Sequence, residues 1–119
     1  MGNPIRHWEF MVNNPEKVKE FYRKVFSWRF DSETYPNYTN VITGEKPEGG
    51  LMKNTTKGAP SSLNVYFEVD AVEPVLRNVI EAGGKVIVPR TEIPNIGWFA
   101  FFEDPESIPV GILELKKTG

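Results

Sequence analysis

The chain of 119 residues contains no cysteine and one histidine. Without cysteine there are no disulfides, no thiol nucleophile, no thiolate metal ligands and no iron–sulfur cluster. Neither sign of charge dominates. Fourteen Lys and Arg against sixteen Asp and Glu leave a net charge of −2. There is no basic block, so no nucleic-acid footprint. Residues 1–9 lack the apolar run of a signal peptide. No apolar stretch approaches the roughly 20 residues of a membrane span. A cytoplasmic location with no membrane partner is expected. The hydrophobic fraction of 39%, with 13% aromatic residues, is ordinary for one globular domain.

What the sequence does have is an echo of itself. Phe10 and Val12 recur as Phe67 and Val69, 57 positions later. At the same offset Asn13 falls on Asp70 and Val18 on Val75. Further on, Gly50-Leu51-Met52 is echoed by Gly111-Ile112-Leu113. One domain built from two modules, residues 1–58 and 59–119, is expected.

Local patterns support the same order in each half. Residues 6–12 alternate, with Trp8, Phe10 and Val12 on one face and His7, Glu9 and Met11 on the other. Asn14-Pro15 supplies an N-cap and a proline at the first helical position. Val18, Phe21, Tyr22, Val25 and Phe26 follow at helical spacing, and Glu16, Lys17, Lys19, Glu20, Arg23 and Lys24 make a solvated face. Strands are expected over 28–33, 38–43 and 50–53, and residues 54–61 read as a linker. In the second half a strand over 63–69 leads to Asp70 as helix cap. A helix carrying Val72, Val75, Leu76, Val79 and Ile80 ends at Gly83-Gly84. Strands over 85–89, 97–103 and 110–116 complete it. Each half is β-α-β-β-β.

Strand parity nominates site residues. If Trp8, Phe10 and Val12 face the helix, His7 and Glu9 face a cavity, and so do Asn64, Tyr66 and Glu68. This mixture of polar and aromatic side chains suits an organic ligand with polar groups. Trp98, at the start of an aromatic strand, is placed at the pocket mouth. Tyr35 and Tyr38 flank a turn and read as a lid or as exposed decoration. Glu9 and Glu68 can act as an acid–base pair if burial separates their pKa values. Glu9 reads equally as a solvated edge residue, and Asn64 and Tyr66 as groups that satisfy the backbone.

With these motifs in order, the chain resembles the vicinal oxygen chelate superfamily of glyoxalase I, bleomycin-resistance proteins and extradiol dioxygenases. The matching residues are His7 with Val12, Asn13-Asn14-Pro15-Glu16, and Phe21-Tyr22 through Val25-Phe26-Ser27-Trp28. In the second half they are Tyr66-Phe67-Glu68-Val69-Asp70, Ala82-Gly83-Gly84-Lys85-Val86 and Asp104-Pro105-Glu106. The resemblance implies an α+β fold of two β-α-β-β-β modules whose strands form a partly open curled sheet. It also implies a homodimer. In metal-dependent members a divalent ion is held by His, Gln or Glu from the first and last strands of each module.

Carried over residue by residue, the first-strand positions fall on His7 and Asn64, and the last-strand positions on Gly50 and Gly111. Only His7 is a competent ligand of a transition metal. Glu114 lies three residues past Gly111, on the opposite strand face. The resemblance therefore implies a glyoxalase-like protein that binds a small organic molecule between its modules, with no complete metal site and no cofactor expected. The alternative is a metal-dependent lyase or dioxygenase using His7 and nearby carboxylates.

Overall fold

The computed structural model describes residues 2–117. The elements run β1 (Ile5–Val12), α1 (Pro15–Phe26), β2 (Arg29–Tyr35), β3 (Tyr38–Ile42), β4 (Gly49–Lys53), β5 (Ser62–Glu68), α2 (Val72–Glu81), β6 (Lys85–Ile93), β7 (Gly97–Glu103) and β8 (Pro109–Leu115). This is β-α-β-β-β twice, an α+β architecture. The chain forms two compact units, residues 7–64 and residues 2–6 with 65–117. None of the helices among the described residues is long and apolar enough to cross a membrane.

In the first unit the strand order is β2-β3-β4-β1. β1 lies parallel to β4, with Glu9 opposite Gly50 and Phe10 opposite Leu51. β4 runs antiparallel to β3, which places Asn40 opposite Gly50. Val12, Val41 and Leu51 form the buried core, and Trp8, Phe10, Val18, Trp28 and Phe30 pack against it. The alternation along β1 explains this, because every second side chain points to the same face. Complete burial of Leu51 or Val41 stabilises the unit by about 1.5–3 kcal/mol per side chain.

Asn14 caps α1 as expected, its side chain accepting the Lys17 N–H at 3.2 Å. Ser27 ends the helix in the left-handed conformation. The two faces of α1 differ from the sequence reading. Lys19 is buried and paired with Glu16 at 2.5 Å. Phe21, Val25 and Phe26 are more than half exposed. The apolar stripe is wider than the part that meets the sheet. Tyr22 takes the inward position, with its ring 5.3 Å from Phe10 and 5.0 Å from Trp28.

In the second unit the order is β5-β8-β7-β6. β5 lies parallel to β8, with Tyr66 opposite Gly111. Val69, Val72, Leu76, Ala100 and Ile112 form its core. The start of α2 corrects the sequence reading. The cap position is Ala71, which offers no side-chain hydrogen bond, and Asp70 does not cap the helix. Instead Glu114 Oε1 on β8 accepts the Val72 N–H at 2.9 Å. A carboxylate from a neighbouring strand thus satisfies one of the helix's first orphan donors.

Candidate functional site

The site grows from one gap in the first unit. β4 lies between β3 and β1. Its residue at the crossing point is Gly50, opposite Glu9 on one side and Asn40 on the other. A β-carbon on Gly50 would stand 1.7 Å from the Tyr38 hydroxyl oxygen. The missing side chain therefore lets Tyr38 reach from β3 across β4 to β1.

There the hydroxyl meets two groups at once. Tyr38 Oη lies 2.6 Å from His7 Nε2 and 2.9 Å from Glu9 Oε2. His7 and Glu9 are two residues apart on a strand, so their side chains share a face. Glu9 is buried, at 6% exposure, while His7 and Tyr38 are half-buried. The reading of Glu9 as a solvated edge residue is thereby corrected. Burial pushes the His7 imidazole below its ordinary value of 6.5, and a hydrogen bond to the Glu48 backbone pulls the other way. The arrangement is a histidine, a phenol and a carboxylate joined through one hydroxyl.

The second unit uses its glycine in the opposite sense. A β-carbon on Gly111 would stand 2.7 Å from the Tyr66 ring. Tyr66 packs edge-on to Phe101, at 5.1 Å between centroids. Here the aromatic residue crosses from β5 over β8 towards β7. The result is aromatic packing of Tyr66 on Phe101.

The remaining nominated residues have identified surroundings. Asn64 donates to Ser62 Oγ at 3.0 Å, two residues away on its own strand. Glu68 lies 3.9 Å from Arg6 Nε in the second unit. Trp98 packs against the core of the second unit and carries the Arg90 guanidinium 4.2 Å above its ring. Arg90 also approaches Glu114 at 3.7 Å. Glu114 is thus engaged with α2 and Arg90, on the helix side of β8 as its parity implied. Tyr35 is exposed.

Tyr38, read from the sequence as a lid or as exposed decoration, is half-buried and is the member of this set that strand parity did not nominate. The signal that points to it is Gly50. A glycine inside a strand marks a close approach by another group.

The donor set is poor for a divalent transition metal. Gly50 and Gly111 have no donor atoms, and Tyr38 and Tyr66 fill the volume a ligating side chain would need. Among the described residues no three His, Cys, Asp or Glu side chains are grouped to hold an ion. Tetrahedral and catalytic sites need at least three protein ligands. These residues do not fit such an ion.

Residues 5–112 match the family model described as Glyoxalase/Bleomycin resistance protein/Dioxygenase superfamily. CFP32 of Mycobacterium bovis, provisionally named a glyoxylase, is 29% identical over 109 residues. The alignment covers 89% of this chain and 42% of CFP32, so the chain spans less than half of that relative. Among solved structures, methylmalonyl-CoA epimerase from Mycobacterium tuberculosis superposes with a TM-score of 0.68 at 10% identity. That match covers 96% of this chain and 89% of the epimerase. A Mn(II)-bound glyoxalase from Novosphingobium aromaticivorans gives a TM-score of 0.65 at 16% identity, over 98% of this chain and 42% of that one. Likeness at these identities establishes a shared fold.

Proposed function

The chain belongs to the Glyoxalase/Bleomycin resistance protein/Dioxygenase superfamily, and on that footing we propose that it binds a small organic molecule without a resident metal ion. The observation that supports this reading most is the Tyr38 hydroxyl at the glycine position from which the resemblance would draw a ligand. Where metal-dependent relatives of the same fold present a donor to an ion, this chain presents a phenol tied to His7 and Glu9. A half-buried set of one ring nitrogen, one hydroxyl and one carboxylate orients a ligand by hydrogen bonds. His7, Tyr38 and Glu9 are the binding residues of this reading, and a cytoplasmic setting goes with it.

The test is a thermal-shift screen of small phenols, enols and aromatic acids against the full chain, before and after dialysis against a chelator. A ligand whose stabilisation survives the chelator, and weakens at least tenfold in Kd with Tyr38→Phe, supports the reading. Stabilisation that appears only with an added divalent ion contradicts it, and would favour the lyase or dioxygenase alternative.

We also propose that two copies associate as a homodimer. Phe21, Val25 and Phe26, exposed together on α1, support this. Sedimentation equilibrium at micromolar concentration tests it, and a monomer mass contradicts it.

A further inference from the structure

α1 and α2 begin at equivalent places in the echo, since Pro15 lies 57 positions before Val72. The two helices therefore compare residue by residue. Val18 and Val75 correspond, and each packs against the core of its own unit. The next pair does not match. Leu76 is a core residue of the second unit, 7% exposed, and its counterpart on α1 is Lys19, 8% exposed. A lysine occupies the helix position that the other copy fills with a leucine, and it is as deeply enclosed. The two residues hold their helices by different physics. Leucine gains from leaving water without needing a partner. An ammonium group loses hydration on burial, and a counter-charge must replace it.

Lys19 finds that counter-charge in the first turn of its own helix. Its Nζ lies 2.5 Å from Glu16 Oε2, and the Glu16 side chain is 79% exposed. The lysine stem is enclosed while its head reaches a carboxylate in solvent. The Glu20–Lys24 pair on the same helix is different, because both of its side chains are mostly exposed and such pairs contribute little. We infer that Glu16 and Lys19 form a latch, which makes the seating of α1 on its sheet conditional on one solvent-facing charge. α2 lacks the latch. Glu73 stands at the place of Glu16, but three residues before a leucine. With the Glu16 charge present, α1 is closed and Tyr22 rests on Phe10 and Trp28. With that charge removed, the enclosed ammonium has lost its partner, and α1 lifts to rehydrate it. Lifting takes Tyr22 away from Phe10, the residue that follows Glu9 on β1. The switch belongs to the first unit alone.

The echo supplies its own control for the test. Tyr22 on α1 and Val79 on α2 are equivalent, so their backbone amides report the opening of the two helices in one molecule. Native-state hydrogen exchange is measured on the full chain without ligand. Glu16→Gln keeps the side-chain length and removes the charge. It is expected to speed exchange at Tyr22 by about tenfold or more and to leave Val79 unchanged. In a Lys19→Leu background, which copies α2, the same Glu16→Gln change is expected to have no effect on Tyr22. Lys19→Met keeps the unbranched stem and replaces Lys19→Leu if the leucine does not fit. If neither Lys19 variant folds, the contrast between Tyr22 and Val79 in Glu16→Gln decides alone. Unchanged exchange at Tyr22 in Glu16→Gln overturns the proposal. Equal acceleration at Tyr22 and Val79 also overturns it, because the whole chain is then opening. Acceleration that persists without Lys19 overturns it as well, since Glu16 then acts on the helix end and not on the lysine. No ligand is involved, so the result stands apart from the thermal-shift screen.

Discussion

A β-carbon on Gly50 would come within 1.7 Å of the Tyr38 hydroxyl oxygen, which reaches His7 and Glu9 across that position. One absent side chain on β4 therefore decides whether β3 and β1 share a polar site. Gly50→Ala is expected to expel the Tyr38 hydroxyl from between His7 and Glu9. Overpacking of a buried position costs about 1–3 kcal/mol. Urea unfolding of the variant against the wild type measures that loss, with an unchanged m-value if the fold persists.

Tyr38→Phe keeps the ring and removes the hydroxyl. It leaves a buried carboxylate and a half-buried ring nitrogen without that partner. The expected cost is about 1–3 kcal/mol in unfolding free energy, the penalty for a polar group stripped of a buried partner. A variant as stable as the wild type would show that the hydroxyl contributes nothing to the unit.

Glu114 is predicted to act on α2. Its Oε1 accepts the Val72 N–H, and Arg90 approaches the same atom at 3.7 Å. Glu114→Ala should cost about 1–2 kcal/mol, the range for loss of a helix cap. Glu114→Gln keeps an acceptor and should cost less. Hydrogen exchange at the Val72 amide reads the loss locally, and an unaltered exchange rate there would contradict the assignment.

The pH dependence follows from burial of His7. Its folded pKa lies below the ordinary 6.5, so between the two values the unfolded chain holds a proton that the folded chain does not. The stability tied to this group is complete above pH 6.5 and is lost as pH falls through the lowered folded value. His7→Gln should flatten that part of the stability curve. Thermal melts of both proteins across the window check the sign, and a wild type that gains stability on acidification relative to His7→Gln would contradict it.

Much of this architecture is legible in the sequence, and the reason is periodicity. The alternation of Trp8, Phe10 and Val12 and the Asn14-Pro15 start of α1 are local signals, and both elements form where those signals stand. The 57-residue echo carries the second β-α-β-β-β order. What is not legible depends on residues distant in sequence. Glu114 caps α2 from 42 positions away, so the adjacent Asp70 was the wrong cap. Lys19 is charged and sits in a charged face, yet it is buried, while Phe21, Val25 and Phe26 of the apolar stripe are more than half exposed, and local periodicity distinguishes neither. Of the site, parity places His7 and Glu9 on one face correctly. It does not supply Tyr38, which comes from another strand and depends on the side chain that Gly50 lacks.

On the proposed reading this site works through its own side chains, with Tyr38 standing where a metal ligand would begin. The most direct test is elemental analysis of the purified full chain after incubation with Zn²⁺, Ni²⁺, Mn²⁺ and Fe²⁺ and removal of free ion. No stoichiometric metal under any of these conditions is the predicted result. One ion per chain, lost with His7→Ala, would contradict it and make His7 a ligand instead of the end of a hydrogen-bonded set.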